Sequence, residues 1–298
     1  SALLACALPL SMRKRAAAVV RRADGSLYTP PVAPEPEPEL EHVETTGGFH
    51  RDADVDLGQS MVTHGVASIG SLQVDCGGEI NEQLWGAGVA LSTWFLHAGK
   101  WPTGGRGLLA GRPTVLELGS GTGITGMACA CAGAGAVILT DLPQAVPKLQ
   151  EAIDANQAAL DASNATVTAA ALAWGDLDAC YDVAPEGVDL VFGADLLYNP
   201  DNFDALLATM VELAQIRGAR ILLATENRWG TVNHQWEDAL LRSALEQVGE
   251  AIELPAPSRL PRPVLLVELR PREDGKGGQP TEQIKVASGA FSGAGSGQ

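Results

Sequence analysis

The residues with the most evident chemistry form one short run, Glu117-Leu118-Gly119-Ser120-Gly121-Thr122-Gly123. Three glycines at alternate positions let a backbone turn sharply, and they let a ligand press against it where a side chain would intrude. The run follows the apolar stretch 113–118 and opens the small-residue stretch 122–132, so it reads as strand, turn and helix. In an open α/β sheet such a turn lies at the carboxyl ends of the strands, where ligands bind. The overlapping Gly121-Thr122-Gly123-Ile124-Thr125-Gly126 is a G-x-G-x-x-G, which keeps a nicotinamide dehydrogenase open as a rival. Glu117 weighs against it. A carboxylate at the strand end would face a pyrophosphate, whereas a sulfonium cation bearing an ammonium group meets no such repulsion. The chain also offers no second domain to hold a hydride acceptor. The expected cofactor is therefore S-adenosyl-L-methionine, with Glu117, Gly119, Ser120, Gly121 and Gly123 at its site.

Further polar and aromatic residues recur after later strands. Asp141 ends the second strand, 20 residues after Gly121, where a carboxylate can accept both ribose hydroxyls; the plainer reading is a helix cap before Pro143. Trp174, in Ala173-Trp174-Gly175, is either a wall of the adenine site or a core aromatic. Asp195 and Tyr198, in Gly193-Ala194-Asp195-Leu196-Leu197-Tyr198, close the fourth strand. There Asp195 could hold an acceptor amine and Tyr198 could wall a narrow channel that favours the neutral amine. A carboxylate favours the charged amine, so Asp195 is assigned positioning rather than strong basicity; its alternative is a capping role. Trp85, in Leu84-Trp85-Gly86, reads by itself as a core aromatic at a helix start.

Other chemistries are disfavoured. His42, His50, His64, His97 and His234 have no metal spacing, no G-x-S-x-G elbow occurs, and no metal is expected. Cys6, Cys76, Cys129, Cys131 and Cys180 form no C-x-x-C pair and read as unpaired thiols, which suits a reducing compartment. With 20 Lys and Arg against 36 Asp and Glu, the formal net charge of -16 would repel a polyphosphate, so nucleic acid is not an expected partner. No apolar run reaches the ~20 residues that span a bilayer, so no membrane partner is expected either.

These residues need a scaffold, and the chain alternates strand and helix signals. Strands are expected at 113–118, 136–140, 166–173, 188–194, 220–224, 251–254 and 264–269. Helices are expected at 122–132, 146–157, 201–216 (capped by Asp201 or Asn202) and 231–248. Near-continuous apolar strands alternating with helices mean a mostly parallel sheet covered on both faces, an α/β fold, with the last two strands closing one edge as a hairpin. This domain is expected at 51–270. Residues 1–50 read as a disordered or targeting segment with a Pro- and Glu-rich linker at 29–41. Residues 271–298, rich in Gly and Ser, read as a disordered tail. Arg13, Lys14, Arg15, Arg21 and Arg22, with no acid among residues 1–22, resemble an organelle transit segment, the alternative to a cytoplasmic setting.

Taken in order, Leu84-Trp85-Gly86-Ala87-Gly88, residues 115–123, Leu139-Thr140-Asp141, Ala173-Trp174-Gly175 and residues 193–198 resemble methyltransferase family 16. These are seven-β-strand enzymes, mainly protein-lysine methyltransferases. The resemblance covers roughly 81–226. It implies a Rossmann-like, seven-stranded, mostly parallel sheet of order 3-2-1-4-5-7-6 with strand 7 antiparallel. It implies cofactor contacts by Trp85, Gly119 to Gly121, Asp141, Trp174 and Ala194, with Asp195 and Tyr198 at the methyl-acceptor channel. The implied activity is methyl transfer to a lysine side chain of a protein substrate, and the chain is read as a monomer. The same fold acting on a small molecule or on histidine, and a catalytically silent binding module, are the alternatives. The segment 100–112 departs from the family pattern by lengthening the connection before strand one.

Overall fold

The computed structural model describes residues 20–21, 27–28, 54–56, 61–97, 104–226, 230–254 and 263–272. Contacts divide the chain into two units, Ser1–Glu44 and Thr45–Gln298. In the first, β1 (Val20–Arg21) pairs antiparallel with β2 (Leu27–Tyr28). The expectations for 1–50 and for the tail beyond 272 otherwise lie outside the described residues, as does Cys6.

The second unit carries the expected α/β architecture. Its central strands are β7 (Thr114–Leu118), β8 (Ala136–Asp141), β9 (Thr166–Ala171), β10 (Leu190–Ala194), β11 (Arg220–Glu226) and β14 (Val264–Pro271). Strands β9, β8, β7, β10 and β11 run parallel in that order, and β14 pairs antiparallel with β11. β14 in turn pairs with β12 (Leu245–Gln247) and β13 (Ile252–Leu254), both antiparallel to it. The order is thus 3-2-1-4-5-7-6 with the seventh strand reversed, except that the sixth is broken in two and the sheet counts eight strands. The break falls around Gly249, which takes the left-handed φ of 68°.

Helices α1 (Gly86–Leu96), α2 (Ile124–Ala132), α3 (Val146–Ala155) and α4 (Gln157–Ser163) precede or connect strands toward one face. α5 (Leu177–Val183), α6 (Phe203–Arg217) and α7 (Gly230–Arg242) belong to the other. Two apolar clusters result. One packs Leu91, Phe95, Met127 and Leu149 against Val115, Leu139 and Phe192. The other packs Phe203, Leu206, Met210 and Trp236 against Leu116, Val191 and Leu223. Residues of one strand alternate between the two clusters, which is why the strands read as continuous apolar runs. Ring pairs staple each layer: Phe95 meets Phe192 edge-on at 5.1 Å and Phe203 meets Trp236 at 5.4 Å.

Several local expectations are corrected. The helix expected at 231–248 stops at Arg242. Ser243 Oγ donates to the Leu240 carbonyl and accepts from Leu245 N, which ends the helix and starts β12. Asn202 holds the N-cap position of α6, one of the two expected, but makes no side-chain cap bond; the side-chain cap comes earlier, from Asn199, which accepts from Asp201 N at the head of a 3₁₀ turn, Pro200–Asn202. β14 runs to Pro271, and Arg272 N donates to the Ala244 carbonyl. Cys76, Cys129, Cys131 and Cys180 are free thiols, as expected.

An antiparallel element ahead of the sheet was not anticipated. β3 (Asp54–Asp56) and β5 (Leu72–Cys76) flank β4 (Met61–Ile69), and β6 (Leu84–Trp85) also pairs with β4. Asn156, at the α3–α4 junction, fastens β5 to the domain. Its side chain accepts from Gln73 N at 2.8 Å and donates to the Gln73 carbonyl at 2.6 Å, as a neighbouring strand would. The hairpin delivers residues 79–85 to the carboxyl end of the sheet.

Candidate functional site

The Gly-rich turn sits at the carboxyl end of β7. Gly119 and Gly121 take left-handed φ values of 59° and 53°, which strain any other residue. Space is short as well. A Cβ on Gly119 would stand 2.8 Å from Leu196 Cδ2, and one on Gly121 would stand 3.2 Å from the Asn81 carbonyl. Protein neighbours therefore demand these glycines, beyond the ligand clearance expected from sequence. Ser120 lines the same turn with its polar groups committed to it. Its N–H donates to the Thr140 carbonyl, its Oγ accepts from Thr140 N, and its carbonyl accepts from Gly123 N. Ser120 thus ties β7 to β8. Gly123 is not on the cleft wall; its missing side chain makes room for Leu149 Cδ2 at 2.9 Å and Leu139 Cδ1 at 3.1 Å.

Asp141 is aimed by two backbone donors. Oδ2 accepts from Gly121 N at 2.9 Å and Oδ1 accepts from Leu142 N at 2.7 Å. It does not cap α3, whose cap position is Ala145. A carboxylate has about four lone-pair directions, so it retains acceptor capacity toward the cleft. Asp195 adopts φ 60°, a left-handed conformation that costs a non-glycine residue about 1–3 kcal/mol. Its N–H donates to the Ala224 carbonyl and its Oδ1 accepts from Glu226 N at 3.4 Å, so it bridges β10 to the end of β11 rather than capping a helix.

One cleft of about 580 Å³ joins these groups, within the ~300–1,000 Å³ typical of ligand sites. It brings together Trp85, Glu117, Gly119, Ser120, Gly121, Asp141, Trp174, Ala194, Asp195 and Tyr198, all the sequence-derived candidates but Gly123. Trp174 is half-buried, packs on the second apolar cluster, lines the cleft, and would lie 3.3 Å from a Cβ on Gly119. Trp85 precedes α1, and its indole N–H donates to the Ile80 carbonyl at 3.2 Å, leaving the ring as its contribution to the wall. Sequence reasoning missed Glu79, Ile80, Asn81, Gln83, Leu142 and Asn202, which also line the cleft. Leu142 was within reach, as the neighbour of Asp141. Ile80, Leu142 and Tyr198 are 61%, 46% and 50% exposed, forming an apolar rim on a strongly acidic chain.

The electrostatics turn on Glu117. Only 2% exposed, it accepts a hydrogen bond from Gly126 N at Oε2. Burial pushes its carboxyl up to about 8, with Asp141 adding to the rise and hydrogen bonds from Ser120 and Gly126 opposing it. At neutral pH the neutral acid prevails, so the repulsion ascribed to Glu117 from sequence is weaker than a full charge. A cation above it would restore the ionised form. Burial, and then the Asp141 charge, also raise the Tyr198 phenol, which stays protonated at neutral pH.

Similarities to known proteins fit this geometry. Over 114 residues the chain is 40% identical to EEF1A lysine methyltransferase 3 of Mus musculus, covering 38% of this chain and 45% of that one. Over 132 residues it is 34% identical to the protein N-lysine methyltransferase METTL21A of Danio rerio, covering 44% and 54%. The chain thus spans about half the length of these curated relatives. Among solved structures, a ribosomal protein L11 methylase from Lactobacillus delbrueckii subsp. bulgaricus superposes with a TM-score of 0.40 at 17% identity, covering 67% of this chain and 83% of that one. A family model described as lysine methyltransferase matches residues 70–244, a span that runs from the β4–β5 hairpin to the end of α7. With the Gly-rich turn, Asp141, Trp174 and the Asp195–Tyr198 pair all inside a match longer than half of its sequence, the chain belongs to methyltransferase family 16, the lysine methyltransferases.

Proposed function

We propose that this protein is an S-adenosylmethionine-dependent methyltransferase that methylates a lysine side chain of a protein substrate. One observation carries the reading. The Gly-rich turn, the Asp141 carboxylate and the Asp195–Tyr198 pair line a single continuous cleft at the carboxyl end of the sheet. The residues present fit the cofactor. Two left-handed glycines bring the backbone to the cleft, a carboxylate faces it at the end of β8, and two tryptophans stand in its walls.

S-adenosylmethionine, when bound, supplies an electrophilic methyl group on a sulfonium. Asp141 accepts hydrogen bonds from the ribose hydroxyls. The rings of Trp85 and Trp174 shield the site from water. Asp195, locked by its left-handed backbone and by Glu226 N, accepts from the N–H of the incoming amine and aims its lone pair. That orientation is worth more than basicity, because a carboxylate close to an amine raises the amine's pKa. The neutral Tyr198 phenol narrows the mouth and dries the amine. The amine's proton leaves by the half-exposed rim. The acidic chain and the apolar rim of Ile80, Leu142 and Tyr198 suit a lysine-bearing polypeptide, whose charge and alkyl stem they complement.

Incubation with methyl-labelled cofactor and a cell extract tests the reading. Label is expected on lysine of a protein, and Asp195→Ala is expected to cut the transfer rate severely with cofactor affinity retained. Label confined to the low-mass fraction, label on histidine, or no transfer at all would each overturn the lysine assignment.

A further inference from the structure

The turn at Trp174 and Gly175 joins the ends of β8 and β9 to one face of α6. Leu172 N donates to the Asp141 carbonyl at 2.8 Å, so the chain leaving β9 starts beside the end of β8. Gly175, in the left-handed region at φ 92°, donates its N–H to Thr209 Oγ1 of α6 at 2.8 Å. A Cβ on Gly175 would stand 3.3 Å from Ala205 Cβ. Thr209 and Ala205 share a helical stripe with Asn202, so the face of α6 that packs on this turn carries Asn202 at its amino end. Asn202 and Ala205 line the cleft together with Leu142, Leu172, Ala173 and Trp174. Tyr198, just ahead in the chain, feels the Asp141 charge, which brings this segment to the Asp141 end of the cleft.

Asn202 is half-buried and stands at the N-cap position of α6 without capping it. Its φ of -96° and ψ of -5° continue the preceding turn, whereas a capping residue is extended. Its amide makes no hydrogen bond among the described residues. Asp176, the polar residue next to the turn, is already engaged, since its Oδ1 accepts from Ala179 N as the cap of α5. Gln144 also lines the cleft but is exposed, where water competes for its amide.

The inference rests on the cofactor of the preceding section. With the ribose at Asp141 and the sulfur end at the Gly-rich turn, the adenine points away from that turn, toward the end of β9. The surface it meets there, Leu142, Leu172, Ala173 and Trp174, suits the faces of a purine and leaves its polar edge to be paired. A carboxamide is planar and sets an acceptor beside a donor, the arrangement that pairs with adenine.

We infer that Asn202 is a cofactor-binding residue whose carboxamide oxygen accepts a hydrogen bond from the 6-amino group of the adenine of S-adenosylmethionine. It reads the base, whereas Asp141 holds the sugar.

Calorimetry with two ligands tests this: S-adenosylhomocysteine, and its analogue with hydrogen in place of the 6-amino group. The wild type is expected to prefer S-adenosylhomocysteine by roughly 3- to 10-fold, the worth of one neutral hydrogen bond. In Asn202→Ala the two affinities should fall within about twofold of each other. Asn202→Asp keeps the acceptor oxygen and should keep the preference. The thermal midpoint of ligand-free Asn202→Ala should match that of wild type, because the amide has no partner to lose. Equal affinities in the wild type, an undiminished preference in Asn202→Ala, or loss of the preference in Asn202→Asp each overturns the inference and leaves the proposed function standing. Failure of the wild type to bind S-adenosylhomocysteine overturns both. Asn202→Ser, whose oxygen is drawn back toward the helix, should lose the preference too, and it decides the matter if the Ala variant does not fold.

Discussion

Replacing Glu117 by Gln should stabilise the ligand-free protein, increasingly so as pH rises. In the folded state burial lifts the carboxyl from 4.5 to about 8. An unfolded chain would ionise it in the ordinary range. Between those values the folded state holds a proton that the unfolded state has lost, so the group's contribution to stability falls as pH rises. Its contribution is most favourable below about pH 4.5 and levels off above about pH 8. Each unit of pKa difference corresponds to about 1.4 kcal/mol. By pH 7 keeping the group folded costs on the order of 3 kcal/mol, a figure good to about a unit of pKa either way. A glutamine side chain at this position cannot ionise, and its carboxamide oxygen can still accept from Gly126 N.

The stability difference between Glu117→Gln and wild type should therefore widen by about 4 kcal/mol between roughly pH 5 and pH 8.5. Urea unfolding of the ligand-free proteins across that range measures it. Comparing slopes removes any pH-independent cost of the substitution, and other titrating groups cancel between the two proteins. Parallel pH–stability curves would refute the argument, because they would mean that Glu117 has the same proton affinity folded and unfolded.

Two further substitutions probe the framework of the cleft. Asn156→Ala removes both bonds to Gln73 and should cost about 1–3 kcal/mol, with faster hydrogen exchange concentrated in β5 and the following turn; exchange unchanged in β5 would contradict its part in fastening the hairpin. Gly126→Ala would set a methyl 2.1 Å from Leu139 Cδ2 and 2.7 Å from Glu117 Oε2, and this overpacking should cost about 1–3 kcal/mol despite the better helix propensity of alanine. A thermal midpoint at or above that of wild type would show that α2 can shift away from β8 more cheaply than the packing suggests.

Much of the scaffold was legible because each central strand is apolar on both faces and each connection is helical. Periodicity alone located β7, β8, β10 and β11 to within two or three residues. The boundaries that failed were set by local hydrogen bonds that composition does not announce. Ser243 ended α7 early, Asn199 added a side-chain cap on a 3₁₀ turn ahead of α6, and Gly249 divided the sixth strand. The β4–β5 hairpin escaped because polar residues and a glycine interrupt MVTHGVASI, and LQVDC is only five residues long, so neither presents a continuous apolar run. Its place also depends on Asn156, 83 residues away.

At the site, the sequence by itself determined which chemical groups follow each strand: the glycines after β7, Asp141 after β8, Trp174 after β9, and Asp195 with Tyr198 after β10. A parallel sheet brings those ends together, so knowing the strands was enough to gather them. Tertiary structure decided what each group does there. It turned Ser120 and Gly123 into parts of the framework, and drew the Glu117 carboxyl toward its neutral form by burying it. Those outcomes depend on desolvation and on contacts between residues remote in sequence, and neither is encoded in the order of residue types along one strand and its turn.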